Sequence, residues 1–182
     1  MKFIETRLPG VIRIEPAVFS DDRGYFMETW QARRFSDSGI DLEFVQDNLS
    51  DSSKGTLRGL HYQIRQPQGK LVRVVAGEVF DVAVDLRKSS KNFGEWVGEI
   101  LSAENKRMFW VPPGFAHGFL VLSDTAIFEY KCTDYYAPDH ERAIRWDDPD
   151  IDIEWPLESE QQPVLSPKDA AAPFLKDAET YT

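Results

Sequence analysis

A chain of 182 residues is long enough for one well-buried core and short for two. Its apolar fraction of 42% and aromatic fraction of 13% indicate a folded globular protein and exclude a disordered chain. The formal charge of −10 argues against a general surface for nucleic acids or anionic membranes, which needs an excess of Lys and Arg. An anionic ligand would therefore need a local basic pocket.

Cysteine content and hydropathy bear on the compartment. The single Cys132 cannot form an internal disulfide, and no pair of thiols suggests a metal site. No apolar run is long enough to span a bilayer, and residues 1–5 lack the basic and then apolar layout of a signal peptide. These features predict a cytoplasmic protein that binds neither nucleic acid nor membrane.

The predicted elements are mostly short strands, joined by turns that contain Gly, Pro or Asp. One helix is predicted early in the chain, from Gln31 to Ser38, where Gly39 ends it. A polar loop at 51–55 leads into the middle of the chain. The predicted single strands are 11–15, 25–30, 42–46, 57–63, 95–101, 107–111, 119–122 and 126–131.

Two runs rich in β-branched residues lie at 70–75 and 79–85, separated by the short connection AGE. Such runs around a connection that contains Gly predict a β-hairpin. Together with the other strands they indicate an all-β sandwich or barrel with a few short helices.

The C-terminal part, from about residue 137, is acidic and rich in Pro, and a short helix is predicted near 168–171. No internal repeat, low-complexity tract or interdomain linker interrupts the chain. The sequence therefore predicts one domain over residues 1–182.

The run LRGLHYQ at 57–63 alternates apolar and polar residues, the pattern of a strand with one buried face. Two of its residues carry chemistry. Arg58 is a permanent cation whose fork of donors suits phosphate, and His61 is of the residue type best suited to take a proton at physiological pH. One strand thus offers an anion anchor and a general base. The same residues equally suit a surface strand with a solvated Arg58 and a packed His61, so the run alone does not decide.

The run VPPGFAHGF at 111–119 places His117 after a turn that Pro and Gly fix. Two strand histidines in a small barrel can be metal ligands. No His-x-His pair forms around His61, however, and no Glu follows at close spacing, so a metal site is not predicted. His117 is then either a donor in a pocket or a packed structural residue. His140 lies in a polar segment and is predicted to be solvated.

Five blocks, in order, carry a resemblance: LRGLHYQ at 57–63, QGKLV at 68–72, GEVFDV at 77–82, PGFAHGF at 113–119 and LSPKD at 165–169. Together they resemble the dTDP-4-dehydrorhamnose 3,5-epimerases. The match runs from DDRG at 21–24 to Asp169 and so covers nearly the whole chain. The PGFAH piece alone is less specific, because cupin-like barrels in general share it.

The resemblance implies a cupin-type antiparallel jelly roll that uses no metal or other cofactor and forms a homodimer. It also implies a substrate, dTDP-4-dehydro-6-deoxy-D-glucose, which is epimerised at C3 and C5. The product would be dTDP-4-dehydro-L-rhamnose, on the way to dTDP-L-rhamnose.

The resemblance further implies roles for individual residues. His61 matches the family's base, Asp169 the carboxylate paired with it, Tyr130 the acid and Lys70 a cation near the sugar carbonyl. The positions that match residues holding the nucleotide sugar are Arg23, Glu28, Gln46, Asn48, Arg58, His117, Glu141 and Lys168.

The acid is the least specific of these matches, because Tyr135 and Tyr136 lie close to Tyr130. Tyr130 is chosen since it precedes the KCT run at 131–133, at the family's strand end. At the other end of the ligand, Arg23 and Arg58 are candidates for the diphosphate, where bidentate contacts suit guanidinium groups. Phe19 or Phe26 is a candidate to stack on the base.

A ketone at C4 explains why these residue types are needed. It acidifies the C–H bonds at C3 and C5, because the carbanion left behind is an enolate. A base on one face of the ring and an acid on the other return the proton with inverted configuration. Neutral His61 would act as base while Asp169 accepts its other ring N–H. Lys70 would place positive charge beside the developing C4 oxyanion.

Functions of other classes fit a jelly roll as well. A metal-dependent cupin oxygenase or isomerase would bind Fe, Mn or Zn and lose activity with a chelator. A non-catalytic module would bind a nucleotide sugar without exchanging its protons with solvent. A mono-epimerase that acts at one carbon is a close relative that the motifs do not exclude.

Overall fold

The computed structural model describes residues 1–157 and 162–182 and consists mainly of strands. The two α-helices are α1 (Ala32–Ser36) and α2 (Pro167–Ala170), and two 3₁₀ turns span Pro138–His140 and Leu175–Asp177. The strands are β1 (Lys2–Glu5), β2 (Ile12–Glu15), β3 (Val18–Asp21), β4 (Gly24–Met27), β5 (Gln46–Ser53), β6 (Leu57–Gln63), β7 (Lys70–Ala76), β8 (Glu78–Asp85), β9 (Trp96–Ser102), β10 (Met108–Val111), β11 (Phe115–Val121), β12 (Thr125–Cys132) and β13 (Glu141–Ala143).

Two antiparallel sheets make up the body of the fold. One has six strands in the order β1-β2-β10-β7-β12-β5, and the other has five in the order β13-β6-β11-β8-β9. Strands β3 and β4 pair with each other in a separate two-stranded sheet. The all-β antiparallel sandwich with short helices that the sequence predicts is confirmed.

The core lies between the two large sheets. Inward residues of both sheets form one buried cluster, in which Phe119 of β11 stacks on Phe128 of β12 with ring centroids 4.1 Å apart. Aromatic and β-branched side chains suit such a layer because they fill the space between two pleated surfaces. The sheets are thereby held face to face, and polar residues at one end of the interlayer space can line a cleft.

Each large sheet is also covered on its outer face. Helix α1 inserts Phe35 against the six-stranded sheet, where it joins Leu71 and Trp110 in a second cluster. The segment after residue 143 covers the five-stranded sheet with residues such as Ile144 and Ile151. Within the described residues, no helix combines the length and the apolar character that a membrane crossing requires.

The predicted hairpin of residues 70–75 and 79–85 is wrong. Both strands exist, but β7 pairs with β10 and β12 in one sheet, whereas β8 pairs with β11 and β9 in the other. Gly77 sits at the crossing with a φ of +80°. Both runs are rich in buried β-branched residues, so the local pattern suits a crossing between sheets as well as a hairpin.

The predicted strand at 42–46 and loop at 51–55 are also misplaced. The strand is β5, which starts only at Gln46 and continues to Ser53. It lies at the edge of the six-stranded sheet and turns Gln46 and Asn48 toward the cleft between the sheets. A strand with a polar inner row has no apolar alternation, which is why its sequence resembles a loop.

Replacing Gly77 with Ala is expected to lower the free energy of unfolding by about 3 kcal/mol or more. An added Cβ would overlap the backbone carbonyl of Thr125, in addition to the strain of the positive φ. Gly39→Ala is the matched control, because Gly39 has a φ of +86° and open space around it. Urea unfolding should show a loss of only about 1 kcal/mol there. Equal losses in the two variants would contradict the close approach at Gly77.

Candidate active site

A cleft of about 340 Å³ opens between the two sheets at one end of the sandwich. The six-stranded sheet contributes the start of β5, the start of β7 and the end of β12, and the other sheet contributes the end of β6 and β13. The residues that line the cleft are Gln46, Asn48, His61, Tyr62, Gln63, Gln68, Lys70, Tyr130, Tyr136 and Glu141.

His61 lies on the wall formed by the five-stranded sheet and is bonded to Asp169. The distance from His61 Nε2 to Asp169 Oδ1 is 2.5 Å, and the Asp169 side chain is only 4% exposed. Burial works to raise the pKa of Asp169, but hydrogen bonds from His61 and Ser166 hold it below its ordinary value. An ionised carboxylate can only accept hydrogen bonds, so Nε2 carries the ring proton. Nδ1 of His61 is then left as a proton acceptor.

Lys70 and Tyr130 lie on the opposite wall, on the neighbouring strands β7 and β12. Burial lowers the pKa of Lys70, and the negative charge of Asp81 opposes this shift. Burial also raises the pKa of Tyr130, so its phenol keeps its proton at neutral pH. The cleft therefore holds a proton acceptor on one side and, on the other, a proton donor beside the side-chain amine of Lys70.

The rim of the cleft is held by a connected set of polar groups. The Tyr136 hydroxyl donates to Glu141 Oε2 at 2.7 Å, and Lys168 forms an ion pair with the same carboxylate. Burial works to raise the pKa of Glu141, but hydrogen bonds from Lys168 and Tyr136 bring it below its ordinary value. Gln46 accepts a hydrogen bond from the Tyr136 backbone N–H at 2.9 Å.

Sequence reasoning assigned no role to four residues of the cleft wall, which are Tyr62, Gln63, Gln68 and Tyr136. Gln63 Oε1 accepts from the Ala137 N–H at 2.9 Å, and Gln68 Nε2 donates to the Asp134 carbonyl at 2.8 Å. Both glutamines thus fix the loop that carries Tyr136. Gln63 and Gln68 stand inside the quoted motifs, but an amide side chain has no titration or charge that would single it out.

Arg58 and His117 lie near the cleft without lining it. The Arg58 Nε donates to Ser52 Oγ at 3.1 Å, and the charge of Arg58 acts on Tyr130. His117 is buried at 7% exposure, and its Nε2 lies 2.9 Å from Asp81 Oδ2. Of the two alternatives for His117, this environment favours the packed structural residue. Its partner Asp81 also acts on the cleft, because the charge of Asp81 works to raise the pKa of Lys70.

Arg23 and Glu28 lie apart from the other predicted site residues. Arg23 is in the turn between β3 and β4, where its side chain is 90% exposed and paired with Asp21. Glu28 follows β4 and pairs with Arg34 of α1 at 3.2 Å. Neither residue is on the wall of the cleft of its own chain.

Each strand histidine already has a carboxylate partner. His61 and His117 are cross-strand neighbours on β6 and β11, yet one bonds Asp169 and the other Asp81. Across residues 1–157 and 162–182, His, Cys, Asp and Glu form no group of three or more that could hold a metal ion. The third histidine, His140, is the last residue of the 3₁₀ turn at Pro138–His140 and belongs to neither of these histidine–aspartate pairs.

Comparison with known proteins places these features in a family. A model of the family described as dTDP-4-dehydrorhamnose 3,5-epimerase matches residues 5–177. The chain belongs to the dTDP-4-dehydrorhamnose 3,5-epimerase family. A relative with that name from Pseudomonas aeruginosa is 57% identical over 182 residues, which is 100% of this chain and 99% of the relative.

Solved structures agree with this assignment. The crystal structure of dTDP-6-deoxy-D-glucose-3,5-epimerase from Legionella pneumophila, in complex with dTDP-4-keto-L-rhamnose, has a TM-score of 0.95 and 57% identity. The match covers 98% of this chain and 94% of that one. A 3'-monoepimerase from Streptomyces bikiniensis in complex with dTDP-quinovose is more distant, with a TM-score of 0.89 and 35% identity over 95% of this chain and 87% of that one. The epimerase fold thus serves reactions at one carbon as well as at two.

Within this epimerase fold, the three neighbouring tyrosines differ in position. Tyr130 is on strand β12 and points into the cleft, where it packs against the core. Tyr135 and Tyr136 follow the strand and are 62% and 54% exposed, and Tyr136 lines only the rim of the cleft, where its hydroxyl is bonded to Glu141. The position of Tyr130 supports the choice of this residue as the acid, because an acid must reach the ring from inside the cleft.

Glu141→Gln is expected to lower the free energy of unfolding at neutral pH by about 1 kcal/mol, because the Lys168 and Tyr136 contacts weaken. The pKa of Glu141 in the folded protein is lowered from its ordinary value of 4.5. The Glu141 carboxylate therefore stabilises the fold above pH 4.5, and this stabilisation is lost as the pH falls through the folded-state pKa. Urea unfolding from about pH 7 to pH 3 should therefore show a difference between the two proteins that shrinks on acidification.

Glu179→Gln is the control for this measurement. Glu179 pairs with Arg142 at 3.0 Å, but its side chain is 58% exposed. Exposed ion pairs contribute little, so its loss should change stability by less than about 0.5 kcal/mol. A Glu141→Gln effect that stayed constant with pH would show that its carboxylate charge is not what matters.

Proposed function

We propose that this protein converts dTDP-4-dehydro-6-deoxy-D-glucose to dTDP-4-dehydro-L-rhamnose by epimerisation at C3 and C5. One observation carries the proposal: His61 on one sheet, bonded to Asp169 of α2, faces Lys70 and Tyr130 of the other sheet across a single cleft. A hexose ring in that cleft has a base on one face and an acid on the other. The geometry is that of an isomerase that works by proton transfer, and the reaction serves dTDP-L-rhamnose biosynthesis.

The first step breaks the C3–H bond. His61 Nδ1 takes the proton, and the electron pair of the bond moves onto the C4 oxygen as an enolate. Asp169 stabilises the imidazolium through the Nε2–H bond, and the Lys70 ammonium stabilises the oxyanion. No external electron acceptor is needed, since the substrate's own carbonyl takes the electron pair.

The second step delivers a proton to the other face. The Tyr130 phenol gives its proton to C3 as the enolate returns to the ketone, which inverts the configuration. His61 then releases its proton to solvent, and the Tyr130 phenolate takes one back. The same two steps at C5 complete the double epimerisation.

The remaining lining residues suit the rest of the ligand. Gln46 and Asn48 on β5 present amide groups to the sugar, and Glu141 with Lys168 closes the rim. Arg58 lies beside the acid and provides positive charge for the diphosphate. A protein with a net charge of −10 needs such local cations to hold a dianionic group.

Epimerisation at C3 alone is the second candidate function. The observation that favours it is the Streptomyces bikiniensis 3'-monoepimerase, which shares the fold over most of this chain. The side chains that would perform the two reactions are of the same types. The number of carbons that exchange their protons with solvent separates the two functions.

Solvent exchange tests the proposal directly. The protein is incubated with dTDP-4-dehydro-6-deoxy-D-glucose in D2O, with and without EDTA, and deuterium is located by NMR. We expect deuterium at both C3 and C5, unchanged by the chelator. Deuterium at C3 alone would establish the mono-epimerase, sensitivity to EDTA would indicate a metal-dependent cupin, and binding without exchange would indicate a non-catalytic module.

Two variants assign the proton transfers. His61→Ala should abolish exchange, because the variant lacks the ring nitrogen that takes the C3 and C5 protons. Tyr130→Phe should reduce inversion by roughly 100-fold or more while some exchange persists, because proton abstraction by His61 does not require the phenol. Tyr135→Phe is the matched control and should behave as the parent protein. Full turnover by His61→Ala would refute the assignment of the base.

We also infer that the protein is a homodimer in which the β3–β4 hairpin completes the cleft of the second subunit. The hairpin exposes Phe19 at 65% and Phe26 at 69%, and these two residues are cross-strand neighbours. Exposed aromatic pairs of this size suit an interaction surface. Arg23 and Glu28, which are absent from the cleft of their own chain, would then reach the nucleotide from the partner. A cytoplasmic location stays a prediction.

Subunit complementation tests this arrangement. Arg23→Ala and His61→Ala are each expected to have little activity alone. A heterodimer of the two, purified through different tags, should regain about half of the parent activity per dimer, because one of its clefts has both residues. No recovery in a verified heterodimer would show that Arg23 serves the cleft of its own chain, and full activity of Arg23→Ala alone would show that it serves no cleft.

A further inference from the structure

Helix α2 carries Asp169 and is too short to hold it in place alone. It spans only Pro167–Ala170, which is a single turn. Isolated helices of this length are unstable, since nucleation fixes several residues for one hydrogen bond. The position of the Asp169 carboxylate against His61 must therefore come from contacts around the turn.

Ser166 makes the contact nearest to the carboxylate. It is the N-cap of α2, and its Oγ accepts a hydrogen bond from the Asp169 backbone N–H at 3.1 Å. Its carbonyl accepts from the Ala170 N–H at 3.0 Å. Both bonds fix the backbone from which the Asp169 side chain projects toward His61, and a hydrogen bond from the Ser166 side chain also lowers the pKa of Asp169.

A second contact fastens the same turn to the sheet. Lys168 pairs with Glu141 on β13, and β13 pairs with β6 so that Glu141 lies opposite Gln63. Strand β6 is also the strand of His61. The turn with Asp169 is thus joined to the sheet of His61 by this ion pair as well as by the His61–Asp169 hydrogen bond.

Ser166 itself cannot touch the substrate from this position. It is exposed and is not among the residues on the wall of the cleft. The charged and titratable groups that face Asp169 are His61 from β6 and Lys168 from its own turn, with Glu141 of β13 next to both. Any effect of Ser166 on the reaction must therefore pass through Asp169.

We propose that Ser166 is a positioning residue of the epimerase reaction, which holds the Asp169 carboxylate in register with His61 and acts through it alone. This inference rests on the proposed function, because it needs the His61–Asp169 pair to be the base. Ser166 then affects the rate of turnover and does not contribute to binding the nucleotide sugar.

Steady-state kinetics of Ser166→Ala test the proposal. We expect kcat to fall about tenfold while KM stays within about twofold, because only the base loses its alignment. Ser166→Thr should restore most of the loss, since its hydroxyl can cap the same turn. Gln31→Ala is the matched control: Gln31 caps α1 through a bond to the Arg34 N–H at 3.3 Å, and its loss should leave kcat unchanged.

A double-mutant cycle with Asp169→Asn decides whether Ser166 works through Asp169. If it does, Ser166→Ala should cost about tenfold in the parent protein and nothing further in the Asp169→Asn background. Independent, multiplying losses would overturn the proposal, as would an unchanged kcat in Ser166→Ala or a loss that appears only in KM. A parent protein without turnover would instead refute the proposed function, so the two failures are distinguishable.

Discussion

The hydrogen bond between His61 and Asp169 is the interaction on which the site depends. Its partners lie 108 positions apart in sequence, on β6 and on a single helical turn near the C-terminus. The bond leaves one ring nitrogen of His61 facing the cleft as a proton acceptor. Without the carboxylate, the ring would have neither a fixed tautomer nor a counter-charge for the imidazolium. The proposed mechanism therefore requires that the C-terminal segment stay docked on the five-stranded sheet.

A two-sheet sandwich suits an epimerisation for a geometrical reason. Inversion requires groups on both faces of one ring, and the two walls of the cleft come from different sheets. Stacking of Phe119 on Phe128 keeps the walls face to face, so the spacing between base and acid is set by the core. Lys70 is positioned by the same sheet as Tyr130. Burial lowers the pKa of Lys70 because it disfavours the charged form, which is a cost in stability that the proposed role beside the C4 oxyanion would explain.

The sequence predicts much of this arrangement, for identifiable reasons. Strand β6 alternates clearly, and helix α2 overlaps the short helix predicted near 168–171, so both elements are predicted where their site residues lie. The hairpin of β7 and β8 was wrong because pairing partners depend on which sheet each strand joins, and local pattern carries no such information. Strand β5 was misplaced because its inner row is polar to suit a ligand. A functional surface of this kind breaks the pattern that sequence reading relies on.

Residue roles followed a similar division. The family motifs identified His61, Lys70, Tyr130 and Asp169, whose side chains meet at one cleft although they are far apart in the chain. The motifs also identified Arg23 and Glu28, although neither residue lines the cleft of its own chain. Motifs report which residues a ligand needs, but not from which subunit they come. The amide side chains of Gln63 and Gln68 carry no such signal and were found only through their contacts with the loop of Tyr136.

A crystal structure with a dTDP-linked 6-deoxy-hexose in the cleft would test the central claim most directly. We expect the hexose ring to lie between His61 Nδ1 and the Tyr130 hydroxyl, with the C4 oxygen within hydrogen-bonding distance of Lys70 Nζ. A ring bound elsewhere, or one with His61 and Tyr130 on the same face, would contradict inversion by these two residues.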